Sequence, residues 1–221
     1  MKKITYLIAV LLPIVFASIT FASAFQNGSF EIGTAPAGSF QTLYGGDSTS
    51  ITGWTVTGSP TANSIDYIGS LWTASDGVRS LDLNGFYQQG GITQTFDTVA
   101  NQDYAVSFDL SGNFYNPPDP KTMSVAVALY SGSYSFSMPV SWSFTNMGWT
   151  TYSFQFTAQN NSSTLTFNST TDSSSAFGPA LDNVRVSDVL GNHQVPEPSI
   201  MLLLGSGLVG LAGFGKRRFK K

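Results

Sequence analysis

"YAVSFDL", residues 104–110, sets Tyr104, Val106, Phe108 and Leu110 at every second position, with Ala105, Ser107 and Asp109 between them. A period of two sends alternate side chains to opposite faces, so the stretch predicts a half-buried strand. "MSVAVALY" (123–130) repeats the pattern through Met123, Val125, Val127 and Leu129, and "YSFQF" (152–156) and "LTF" (165–167) do so over shorter runs. The gaps hold strong chain-turning residues: Gly45-Gly46-Asp47, the run Asn116-Pro117-Pro118-Asp119-Pro120, and Thr171 to Ser175. No segment between 25 and 195 sustains a helical period, and no internal repeat is visible. Short alternating strands between such turns predict an all-β domain, a two-sheet β-sandwich or jelly roll.

The two ends read differently. Lys2 and Lys3 precede an apolar stretch from Ile4 to Phe21, and Ala22-Ser23-Ala24 offers small residues to a signal peptidase. This is the pattern of an export signal over 1–24, formed as a helix, with the mature chain starting near Phe25. The sandwich is expected over 25–190 and a linker over 191–198. Residues 199–215 then form an apolar, glycine-containing segment, short for a spanning helix but followed at once by Lys216, Arg217, Arg218, Lys220 and Lys221. A basic tail over 216–221 favours the cytoplasmic side, which leaves the preceding domain outside.

Val195-Pro196-Glu197-Pro198, the apolar run and the basic cluster together resemble the PEP-CTERM sorting signal of Gram-negative bacteria. The resemblance implies an exosortase, a membrane protease that recognises the Pro-Glu-Pro region and removes the helix. It also implies an inner-membrane precursor and a product at the cell surface or in the extracellular matrix, beside exopolysaccharide systems. It does not bear on what the domain itself does.

Seven of the ten basic residues lie in the two terminal signals. Between 25 and 195 only Arg79, Lys121 and Arg185 remain, against Glu31 and eleven aspartates, a formal charge of −9. Such a domain lacks the basic patch that nucleic-acid phosphates require. Cysteine is absent, so there is neither a disulfide nor a thiolate metal site.

"NGSFE" (27–31) opens the mature chain, Gly53-Trp54 follows, and "LDNVRV" (181–186) closes it. In this order the three resemble the galactose-binding-like β-sandwiches, which include many carbohydrate-binding modules, and the exported DUF642 and choice-of-anchor proteins. The resemblance implies a structural Ca²⁺ shared by Glu31 and Asp182, with backbone carbonyls near Asn27 or Phe30 as further ligands. Calcium takes six to eight oxygens, many of them from the backbone. The competing reading makes both carboxylates acceptors of backbone hydrogen bonds at strand ends. Ser80, Asp82 and Asn84 share one face of "DGVRSLDLNG" (76–85), which reads as a solvated strand face.

Sugar rings pack their C–H faces on aromatic rings while polar groups bond the hydroxyls. Trp54, Tyr67, Trp72 and Tyr87 stand in polar, glycine-rich segments and are the candidate platform. Trp142 and Trp149 flank "SFTNMG" as a possible loop rim. Core packing is the alternative for each, most of all for Trp54. Arg79 and Arg185 either pair with aspartates or hold a sugar group. His193, the only histidine, falls in the linker, so a Ser-His-Asp triad lacks its base. No spacing singles out a glycosidase pair among the aspartates. The sequence thus predicts a non-catalytic module binding exopolysaccharide. A structural surface protein working through protein contacts comes second, and a glycosidase third.

Overall fold

The computed structural model describes residues 24–86, 88–114, 119–172 and 175–189, and among them there are strands and turns but no helix. The expected signal helix, the linker with its Pro-Glu-Pro motif, the membrane helix, the basic tail and Tyr87 lie outside the described residues.

The strands are β1 Phe40–Tyr44, β2 Thr55–Val56, β3 Ser64–Ile68, β4 Ser80–Asp82, β5 Asn84–Gly85, β6 Gln88–Gln89, β7 Gly91–Asp97, β8 Asp103–Gly112, β9 Lys121–Val127, β10 Tyr130–Phe136, β11 Thr150–Thr157, β12 Ser162–Ser169 and β13 Pro179–Asp188. Six of them form one sheet in the order β1-β3-β4-β13-β8-β11, five form a second in the order β10-β9-β12-β7-β2, and β5 pairs with β6 as a separate hairpin. All pairings are antiparallel. The two sheets stack as a sandwich, the predicted class.

The alternation in "YAVSFDL" is what faces β8 onto the second sheet. Val106, Phe108 and Leu110 are fully buried, and the Phe108 ring meets Phe167 of β12 edge-on at 5.3 Å. Each such side chain contributes about 1.5–3 kcal/mol on burial. Among the described residues the buried hydrophobic side chains all fall between Phe30 and Val184, so the sandwich carries a core of its own. In "MSVAVALY" the strand stops earlier than the pattern suggests. Ala128 turns the chain at φ +50°, and Leu129 stands 84% exposed at the hairpin tip.

The outward face of the six-stranded sheet is polar and mostly covered. Register aligns Thr42, Asp66, Asp82, Ala180 and Ser111 in one row across β1, β3, β4, β13 and β8. Two loops lie over the middle of this face. Trp72 donates from Nε1 to Ser80 Oγ at 2.8 Å, and Ser111 Oγ donates to the Met147 carbonyl at 2.5 Å. The loops hold each other through Thr73 N to Phe144 O at 2.8 Å and Trp149 Nε1 to Thr73 O at 3.0 Å. The β5–β6 hairpin closes over Ser64. The β1 end is left open.

Candidate functional site

The two bracketing motifs meet, but they clamp a loop. Asn27 adopts φ +54°, and its side chain donates to the Ile32 and Thr52 carbonyls while accepting from Ile32 N. Gly28 lies against β13, where its carbonyl accepts from Val184 N at 2.9 Å. Ser29 Oγ donates to Asp76 at 2.7 Å, and Phe30 enters the core. Glu31 Oε1 accepts from Val78 N and Arg79 N, both at 2.8 Å. From the other side Asp182 Oδ2 accepts from Ser75 N at 2.7 Å and Asp76 N at 3.0 Å. Glu31 and Asp182 therefore grip neighbouring parts of one loop, residues 75–79.

Most of these oxygens already accept hydrogen bonds within the protein. The second Asp182 oxygen accepts from Asn183 N at 2.6 Å, so each of its oxygens already faces an N–H donor. The Asn27 carbonyl accepts from Trp54 Nε1 and Phe30 N, and the Phe30 carbonyl from the Tyr67 hydroxyl. Burial raises Asp182 to about 7, against the opposing pull of those N–H groups. Among the described residues no three acidic or histidine side chains gather as a metal site. Glu31 and Asp182 both accept backbone hydrogen bonds, the contacts that the hydrogen-bond reading requires.

Three of the four ring candidates are core, and this corrects the platform expected from sequence. Trp54, Tyr67 and Trp72 are 2%, 0% and 4% exposed, and their polar tips are spent on Asn27 O, Phe30 O and Ser80 Oγ. Rings sealed this way offer no face to a sugar. Trp142 is likewise buried, its ring stacked at 4.5 Å on the exposed Phe114. Ser80, Asp82 and Asn84 do share a face, but all three are fully buried beneath the loops, not solvated.

The exposed rings are elsewhere. Phe40 and Tyr44, 44% and 48% exposed, point outward from edge strand β1, with Thr42 between them on the same face. Four residues of strand separate the rings by about 13 Å. Thr42 Oγ1 donates to Asp66 Oδ1 at 2.6 Å at the foot of this shelf. A hollow of about 410 Å³ runs along the free edge of β1, lined by Gln41 to Thr49. Being an edge, β1 there presents backbone N–H and C=O groups without a strand partner. Phe86, 65% exposed, adds a third ring from the hairpin packed on β3.

Beneath the shelf lies a carboxyl pair. Burial pushes Asp66 up to about 6, offset in part by the Thr42 hydroxyl. Burial, and then the charge of Asp66, push Asp82 to about 8. Asp82 is sealed by Asn113 Nδ2, Asn84 N and Gly178 N at 2.6, 2.9 and 3.0 Å. Two facing carboxyls are what a glycosidase needs, but this one reaches no surface bond. A second hollow of about 460 Å³ lies where β10 and β11 close the far side, lined by Tyr130, Phe156, Gln155 and neighbours. Its Tyr130 ring is stacked flat on Phe154 at 3.9 Å.

The sequence matches the family model of DUF642, described as a protein of unknown function, over residues 23–187, and a PEP-CTERM protein-sorting motif over 194–218. It is 32% identical over 179 residues to halomucin of Haloquadratum walsbyi, covering 79% of this chain and 2% of halomucin, so the chain spans a small fraction of that relative. Similar solved structures include TmCBM61 in complex with β-1,4-galactotriose, at 15% identity and TM-score 0.42 over 75% of this chain and 98% of that one. A family 35 carbohydrate-binding module from Clostridium thermocellum is similar at 12% identity and TM-score 0.42, over 66% and 97%.

Proposed function

This chain belongs to the DUF642 family, and on that footing we propose that its sandwich is a non-catalytic carbohydrate-binding module that holds extracellular polysaccharide on the β1 shelf. The observation that carries this reading is the pair Phe40 and Tyr44, two exposed rings on one face of an edge strand with hydroxyl, carboxylate and unpaired backbone groups around them. Large apolar side chains left in water at a concave, polar-rimmed site mark a ligand surface. A shelf of about 13 Å suits several linked rings better than one.

The sorting motif at 194–218 supports an export route. After export and signal-peptidase cleavage, the chain waits as an inner-membrane precursor for an exosortase-type enzyme, then reaches the cell surface or matrix. Hydrolysis is disfavoured because Asp82 is fully enclosed and Asp66 beside it is buried as well.

Residues 24–189, which contain the core found among the described residues, are run in native gels loaded with the producing cell's extracellular polysaccharide. Wild type is retarded, and a Phe40→Ala/Tyr44→Ala variant with unchanged melting temperature is not. A folded wild type that runs freely would give preference to a structural surface protein that works through protein contacts. Equal retardation of wild type and variant would move the sugar site off β1.

A further inference from the structure

The shelf takes an uncharged glycan: we infer that polysaccharides carrying uronate, sulfate or phosphate groups are excluded from it, an inference that rests on the sugar-binding reading. It comes from where the domain's cations are. Between 25 and 195 there are three, and none serves the shelf.

Lys121 is fully buried at the start of β9, with Nζ donating to the Phe177 carbonyl at 2.8 Å. Arg79 precedes β4 on the side of Leu81, so it points away from the outward face. Its guanidinium lies 5.2 Å above the ring of the core residue Tyr67. Arg185 lies on β13, three strands from β1 and so about 14 Å away. Its Nε donates to Asn183 Oδ1 at 2.8 Å, and its Nη2 stands 3.7 Å from Asp76.

The shelf itself is framed by carboxylates. Asp66 lies at its foot. Asp47 follows in the turn after Tyr44, where Ser50 and Thr49 hydrogen bonds outweigh burial and hold it below the ordinary value, hence ionised. An anionic sugar placed here meets like charge with no guanidinium or ammonium to pair with. Recognition of carboxylate or phosphate groups calls for such cations. Neutral hydroxyls, by contrast, suit the Thr42 hydroxyl and the edge backbone groups present.

The test separates the cell's extracellular polysaccharide on an anion exchanger into uncharged and anionic fractions, each cast in native gels at low and at 0.5 M salt. Residues 24–189 should be retarded by the uncharged fraction to the same extent at both salts, and by the anionic fraction not at low salt and at most weakly at 0.5 M, where the repulsion is screened. Retardation by the anionic fraction at low salt overturns the charge inference while sustaining the sugar-binding reading. No retardation by either fraction, from a domain that still melts cooperatively, overturns both.

Discussion

Asp66 on β3 and Asp82 on β4 stand directly opposite each other in the antiparallel register, both on the outward face of the six-stranded sheet and both buried. Folding therefore brings two carboxyls together away from water, and the deeper one keeps its proton near neutrality, at about 8. Asp66 at about 6 and Asp182 at about 7 are raised in the same sense. A raised carboxyl makes the folded state bind more protons than the unfolded state between pH 4 and 8, so stability falls as pH rises through that window. Asp47 and Asp109, held below their ordinary value, act in the opposite sense only below about pH 4.

The melting temperature of residues 24–189 should thus be higher at pH 5 than at pH 8.5, by about 5 °C or more. Asp82→Asn carries no charge at either pH, and Asn113 can turn its amide to accept from it. The variant should match wild type at pH 5 and exceed it at pH 8.5. A flat profile for wild type would show that Asp82 does not titrate as its burial implies.

A chelator should leave the melting temperature unchanged. Asp182, the Asn27 and Phe30 carbonyls and Glu31 Oε1 already receive N–H or O–H donors, and these bonds hold the loop without an ion. A fall on adding EDTA, restored by calcium, would contradict this geometry.

Asp182→Ala tests the clamp from the other end. It strands the N–H groups of Ser75, Asp76 and Asn183, and buried unsatisfied donors cost about 1–3 kcal/mol each. Solvent reaches this loop in part, so about 3 kcal/mol in urea unfolding is expected in total. A loss under 1 kcal/mol would mean that water replaces the carboxylate.

Strand placement was legible in the sequence because "YAVSFDL" and "YSFQF" alternate cleanly, and the sheet obeys that period. The binding rings were not. "FQTLY" (40–44) alternates just as well, with Leu43 inward and Phe40 and Tyr44 outward. Only the position of β1 at a sheet edge reveals which set meets water. Trp54 and Trp72 misled in the opposite way. Glycine and serine neighbours suggest a surface loop, yet Trp72 is buried against Ser80 beneath the covering loops, and Trp54 packs in the core against Phe25 and Phe30.

Trp72→Phe should therefore separate core from platform. It removes the Ser80 bond and part of a buried ring, at a cost of about 1–2 kcal/mol, while leaving polysaccharide retardation intact. Phe40→Ala should do the reverse. If Trp72→Phe abolishes retardation at unchanged stability, the sugar lies under the 69–79 loop and not on β1.

The glycine of "NGSFE" is fixed by β13. A Cβ on Gly28 would fall inside the van der Waals envelope of the Val184 carbonyl oxygen, which is strand backbone and cannot swing aside. Gly46 makes the comparison sharp. It sits at φ +89° with open space around it, so Ala there costs only the left-handed backbone, about 1–2 kcal/mol. Gly28→Ala must instead push the first residues of the domain off the last strand, breaking the Val184–Gly28 bond and loosening Glu31 from the 75–79 loop. A loss of about 3 kcal/mol or more is expected in denaturant unfolding, with Gly46→Ala clearly milder. Equal losses would mean that the opening segment is not held against β13, and the clamp between the two motifs would have to be abandoned.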